Sequence, residues 1–174
     1  MKNQDFISQV LAIVLLSWAQ VLVFGQIHPF SFAFCFAYIT VILSLPATNG
    51  MIVNLLISVV MGAFVDAFNY TMGINAFCGM TLMFFRFNIF GLVKHQTKEE
   101  QQTTFYTLKG LGTWNFTVYT LLASLFYTTI FYLLMAPGVD FILKNLIRIA
   151  FSTLLTTVVI ICINFLFFRR EQSI

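Results

Sequence analysis

Long apolar runs separated by short polar breaks make up this chain, and the polar residues inside the runs recur at helical rather than strand spacing. The stretch 51–75, MIVNLLISVVMGAFVDAFNYTMGIN, sets the pattern. Counting back from Asp66 in steps of four reaches Gly62, Ser58 and Asn54, so one helical face carries small or polar side chains among Val, Ile, Leu, Met and Phe. In lipid the hydrophobic force between helices is slight. A small face then holds a bundle together through close van der Waals packing and interhelical hydrogen bonds. An acid at the end of that face is costly unless paired or wetted, which makes Asp66 a candidate functional residue. The helix is expected to break at 69–73, with Ile74 and Asn75 opening the next.

The same reading over the whole chain predicts an all-α, polytopic membrane bundle of about six transmembrane helices with no soluble domain, at 6–24, 30–45, 51–67, 74–93, 114–136 and 144–168. The first segment is too long for a signal-peptide core and lacks a small-x-small site before Gly25, so an uncleaved anchor is expected. A turn at 25–29 leads to Pro29, which suits the first turn of a helix. The segment 30–45 is short for a bilayer and admits a re-entrant course. The fourth segment contains Arg86, about two turns from its inner end, where snorkelling to the interface is the default expectation. In the fifth, Thr120, Ser124 and Thr128 form a small polar face, and Pro137 and Gly138 end the helix.

The last segment repeats the four-residue spacing through Lys144, Arg148, Ser152, Thr156 and Asn164, broken only at Ile160. It runs opposite to 51–67, which sets Arg148 at the depth of Asp66 and Thr156 at that of Ser58. The two faces are therefore expected to complement one another, with Asp66 and Arg148 meeting near the outer boundary. The competing expectation has Asp66 accepting backbone N–H groups of the turn 69–75 while Arg148 reaches out to headgroups.

Composition narrows the class, since 60% hydrophobic and 9% charged residues with a mean hydropathy of +0.93 exclude an ordinary soluble domain. Charge supplies the orientation. With six spans, Lys2, Lys94, Lys98, Lys109, Arg169 and Arg170 lie on the cytoplasmic side and Lys144 outside, whereas five spans put Lys2 outside as well. Both termini and the polar stretch 94–113 are thus expected in the cytoplasm, that stretch being either a solvated loop or a docking site for a cytoplasmic partner. The basic residues sit at segment ends, so the net charge of +3 carries no nucleic-acid footprint.

Cys35, Cys78 and Cys162 fall inside apolar segments and read as buried small hydrophobes. His28 and His95 lie in loops on opposite sides, so no metal site is expected, and no cofactor. Neither a Walker loop, a G-x-S-x-G, an H-E-x-x-H nor a carboxylate pair in one segment is present, so no enzyme is expected.

Gly62, Asp66, Gly73, Ile74 and Asn75 together resemble the G-x-x-x-D…G-x-N signature of the rod shape-determining MreD family. The likeness runs from Gln20 to Phe24 and Ile27-His28 through to Arg169-Arg170, with Asn69, Tyr70 and Thr71 standing where many members carry Ser and Gly. It implies a non-catalytic scaffold of the bacterial inner membrane. Such a scaffold maintains cell shape by binding the bitopic protein MreC and joining MreB filaments to lateral-wall peptidoglycan synthases. A second resemblance, in size and six-span plan, is to the substrate-binding subunit of an energy-coupling-factor vitamin transporter. That class usually shows an Ala-x-x-x-Ala motif in its first span, which Leu11 to Ala19 does not supply.

Overall fold

A computed structural model describes Trp18 and residues 34–45, 50–94, 113–135 and 139–170, and every regular element among them is a helix. In chain order these are α1 (Ile39–Ser44), α2 (Met51–Asn69), α3 (Ile74–Lys94), α4 (Thr113–Met135) and α5 (Val139–Arg170). Among the described residues, three stretches are long and apolar enough to cross a membrane: Met51–Asn69, Thr113–Met135 and Asn145–Phe165. Within α3, Ile74–Arg86 is a shorter apolar stretch.

Around a hydrophobic core, many small polar side chains are buried while large apolar ones face outward. Asn54, Ser58, Thr120, Ser124, Thr128, Ser152, Thr156 and Asn164 are buried, while Ile52, Leu56, Val60, Phe77, Leu125 and Val158 are exposed. This distribution suits a surrounding of lipid, in which polar groups are driven to find one another and apolar groups are not.

α2 and α3 form an antiparallel hairpin with backbone in contact. A Cβ added to Gly62 would stand 2.5 Å from Ala76 Cα and 2.6 Å from Asn75 O, and one added to Gly79 would stand 3.1 Å from Ser58 O. The small face read from the sequence is therefore a packing face, and its neighbour is the next helix in the chain. The expected complementarity of 51–67 with 144–168 is not the arrangement adopted, since the ladder of α5 turns instead to α4 and to the segment before α1. Between α4 and α5, Ser124 pairs with Thr157 at 2.8 Å, Thr128 with Thr153 at 2.8 Å and Tyr132 with Ser152 at 3.2 Å. These rungs advance along one helix as they retreat along the other, which makes the pair antiparallel.

The segment expected as a span over 30–45 departs most from its sequence reading. Residues 34–38 are not helical, α1 is only six residues long, and the stretch 35–43 is buried throughout. It is the core of the bundle. Phe36 packs against Tyr127 and Phe131 with ring centroids 4.9 and 4.8 Å apart. Non-helical backbone at membrane depth is tolerated only when protein surrounds it and satisfies its N–H and C=O groups.

α2, α3 and α4 end and begin within two residues of 51–67, 74–93 and 114–136, whereas α5 begins at Val139, five residues before the expected 144. Cys162 is a correction: Cys35 and Cys78 are buried but Cys162 is exposed on α5. A thiol is a small weakly polar group that suits the outside of an apolar-surfaced helix as well as its inside. Trp18 lies within ring contact of Phe64 and Phe68, 6.1 and 6.4 Å between centroids, so the first run rests on α2 at that point. The rest of the first segment, the turn 25–29, Pro46, Lys98, Lys109, the loop 95–112, Pro137, Gly138 and the terminal tail lie outside the described residues.

Candidate functional site

The signature residues meet at the α2–α3 junction. α2 ends because Tyr70 takes the left-handed conformation, φ 56 and ψ 35, and donates its N–H to the Asp66 carbonyl. Thr71 N–H reaches the same carbonyl at 3.3 Å. Met72 at φ 47 and Gly73 at φ 89 then turn the chain back. Glycine takes such a φ at no steric cost, whereas Tyr70 and Met72 do so under strain. Both of these side chains stand in the open, 90% and 100% exposed.

A helix starts with N–H groups that have no partner in their own coil. In α3 each finds one. Ile74 donates to Thr71 O at 3.1 Å, Asn75 to Asp66 Oδ1 at 3.0 Å, Ala76 to Asp66 Oδ2 at 2.8 Å, and Phe77 to Gly73 O at 3.0 Å. Asp66 thus caps a helix to which it does not belong, with its acidic group at the positive end of the α3 dipole. Asn75 Nδ2 adds a bond to Asp66 Oδ1 at 2.9 Å, and the Thr71 hydroxyl donates to the same oxygen. The carboxyl group accepts four hydrogen bonds, all from residues 71–76.

Asn75 passes the network inward. Its Oδ1 accepts the Tyr127 hydroxyl proton at 2.8 Å, so Tyr38 is the donor between the two tyrosine hydroxyls and shares its one proton with the Asn75 carbonyl at 3.3 Å. Asp66 on α2, Asn75 on α3, Tyr127 on α4 and Tyr38 ahead of α1 are thereby joined in one buried cluster. Such clusters rigidify a core when every member is satisfied.

The donors to the Asp66 carboxyl are Thr71, Asn75 and Ala76, not Arg148. Arg148 is exposed on α5, and the Asp66 oxygens are held by their own turn, so the expected Asp66–Arg148 pair is replaced by the competing arrangement in which the turn supplies the donors. Proximity decides it. A turn this short delivers the orphan N–H groups of α3 directly to the acid that ends α2.

Ser152 and Thr156 have a specific task that spacing did not reveal. Ser152 Oγ accepts the N–H of Phe34 at 3.0 Å and Thr156 Oγ1 that of Phe36 at 3.3 Å. They stand in for the helical carbonyls that this non-helical stretch lacks. Ser58 bonds back to Leu55 O at 2.8 Å, and Asn54 is buried on the same face with its N–H on Gly50 O at 3.3 Å. Asn164 bonds back to Ile160 O at 2.9 Å.

Arg86 overturns its expectation. It does not snorkel: it is 0% exposed and donates from Nη1 to Ile42 O at 2.9 Å and from Nη2 to Leu45 O at 2.7 Å. The guanidinium fork closes the C-terminal end of α1, where carbonyls lack helical partners and the dipole is negative. An intramembrane arginine with no place in the small-residue ladder was a visible signal, but its partners lie 41 and 44 residues away. Tyr38 and Tyr127 carried no comparable mark, each being one aromatic among many.

Comparison of this chain with protein-family models, with curated proteins and with solved structures yields no match.

Proposed function

We propose that the protein is a non-catalytic scaffold of the bacterial cytoplasmic membrane, with six spans and both termini in the cytoplasm. In this reading it acts in cell elongation, binding an MreC-like bitopic protein and linking MreB filaments to lateral-wall peptidoglycan synthesis. The observation that carries the reading is the convergence of Gly62, Asp66, Gly73 and Asn75 on one junction. A signature scattered over two helices is expected to meet in space if it defines a family's architecture. Here it shapes a rigid turn that holds Tyr70 and Met72 clear of the bundle, a feature suited to contact with another protein. A chain with so little mass outside the bilayer must act through such contacts.

One observation favours a second reading, a substrate-binding subunit of a vitamin transporter. Non-helical backbone within a bundle is where transporters hold solutes, and residues 34–38 are non-helical and packed inside the bundle. Against it, Phe34 and Phe36 N–H and the Ile42 and Leu45 carbonyls are held by Ser152, Thr156 and Arg86. Purification from native membranes separates the two. A stoichiometric coiled-coil bitopic partner is expected; an ATPase pair with a bound vitamin would replace the first reading by the second.

A further inference from the structure

Asn88 on α3 is placed differently from the asparagines buried elsewhere in the bundle. Asn54, Asn75, Asn145 and Asn164 all lie inside it, and Asn164 also bonds back to its own helix at Ile160 O. Partly exposed hydroxyls on the outer faces are satisfied in the same local way: Thr81 bonds to Phe77 O, Thr117 to Thr113 O and Thr129 to Leu125 O. Asn88 is exposed, and its amide makes no hydrogen bond among the described residues. The 21 residues of α3 reach about 30 Å, the thickness of a hydrocarbon core. Asn88 stands about 9 Å short of the last of them, Lys94. An amide turned to lipid at that depth leaves its donors and its acceptor without water, which is costly.

The face around it is patterned for a helix contact. Phe77, Thr81, Phe84, Asn88 and Gly91 follow one another by four and three residues, the spacing of a seam between paired helices. Asn88 falls where a single polar residue fixes register and partner number. Phe77 and Phe84 are about half exposed, and a Cβ built on Gly91 would meet nothing within 4 Å, so a second backbone can approach closely there. By contrast, Leu56 and Val60 on α2 and Phe151, Leu154 and Val158 on α5 face outward with apolar groups that lipid can cover.

From this we infer that α3 pairs with α3 of a second copy of this chain, Asn88 against Asn88. Two copies inserted in the same orientation present α3 in parallel at one depth, and a carboxamide both donates and accepts. A two-fold axis along the membrane normal therefore brings together two groups that each supply what the other lacks. A different protein would have to carry a matching group at the same depth. The inference needs α3 to cross the membrane and does not depend on the scaffold reading.

Full-length protein labelled at its C-terminus with donor or acceptor fluorophore, and reconstituted in phosphatidylethanolamine–phosphatidylglycerol vesicles, reports pairing as energy transfer that falls on dilution with lipid. Transfer is expected for the unaltered protein. Asn88→Leu is expected to weaken pairing about tenfold, in the range of interhelical hydrogen bonds in lipid, whereas Asn88→Gln, which keeps the amide, retains most of it. Gly91→Leu weakens pairing as well, and Val158→Leu on α5 leaves it unchanged. Because Asn88 is exposed, leucine has room there, and Asn88→Ala serves the same purpose should Asn88→Leu lower the folded yield. Absence of transfer at every dilution would overturn the inference, as would pairing indifferent to both Asn88→Leu and Asn88→Ala. A chain that is monomeric alone and pairs only with another membrane protein overturns it too, while leaving the scaffold reading in place.

Discussion

Asp66 and Asn75, nine residues apart, are joined twice: Asn75 gives Asp66 Oδ1 both its backbone N–H at 3.0 Å and its side-chain Nδ2 at 2.9 Å. The first bond caps α3. The second orients the amide so that its oxygen faces Tyr127. A helix start and a buried core contact therefore depend on one carboxylate, and Asp66→Asn disturbs both. Its new amide N–H groups meet donors where an oxygen accepted them. A loss of about 2 kcal/mol is expected, within the range for orphaned buried donors. Unfolding by detergent titration measures it, and a double-mutant cycle of Asp66→Ala with Asn75→Ala should show coupling of about 0.5–3 kcal/mol.

The close approach at Gly62 gives a sharper steric prediction. A Cβ there meets the backbone of Ala76 at 2.5 Å, and backbone cannot swing aside as a side chain does. Gly62→Ala is expected to destabilise, and Gly62→Leu to cost about 3 kcal/mol, the upper end for overpacking. Val60 is 66% exposed two positions along. Val60→Leu should change stability by about 0.5 kcal/mol or less. Equal damage at both sites in the same titration would remove Gly62 from the helix contact.

Arg86 distinguishes a structural fork from a surface cation. Lysine carries one ammonium on a flexible stem and cannot reproduce two bonds in a planar fork. Arg86→Lys is therefore expected to lose at least one of the Ile42 and Leu45 contacts and about 1–3 kcal/mol, and Arg86→Leu more, because both carbonyls are then left buried without the fork. Folded yield and resistance to proteolysis after reconstitution check this. Tolerance of Lys with full stability would show that the arginine serves only as a charge.

Charge reversal tests the separation of Asp66 from Arg148. Because the Asp66 carboxyl accepts its four bonds from residues 71–76, Asp66→Arg should be severe, while Arg148→Asp should leave the α2–α3 junction intact. The double variant should equal the sum of the two within about 0.5 kcal/mol, as for independent sites. Recovery in the double variant, measured by the same unfolding titration, would mean that the two charges meet.

What the sequence determined by itself is what local periodicity and solvent can dictate. Apolar runs fix helices, and the spacing of Asn54, Ser58, Gly62 and Asp66 fixes which face of α2 is turned inward, because a 3.6-residue repeat leaves no other choice. The break at 69–73 was legible for the same reason, as Gly73 and the polar turn residues end one repeat and begin another. Which faces meet is a different matter. Ser, Thr, Asn and Tyr donate and accept with equal ease, so nothing in the spacing of α5 distinguishes α2 from α4 or from the stretch before α1 as the partner of Ser152 and Thr156. Depth and charge pointed to Arg148 for Asp66, yet the N–H groups of α3, brought there by a turn of a few residues, took its oxygens first. The course of Phe34–Tyr38 ahead of α1 is the clearest case. No residue within it breaks a helix, and the groups that hold its backbone come from far along the chain, so only the tertiary structure decides it.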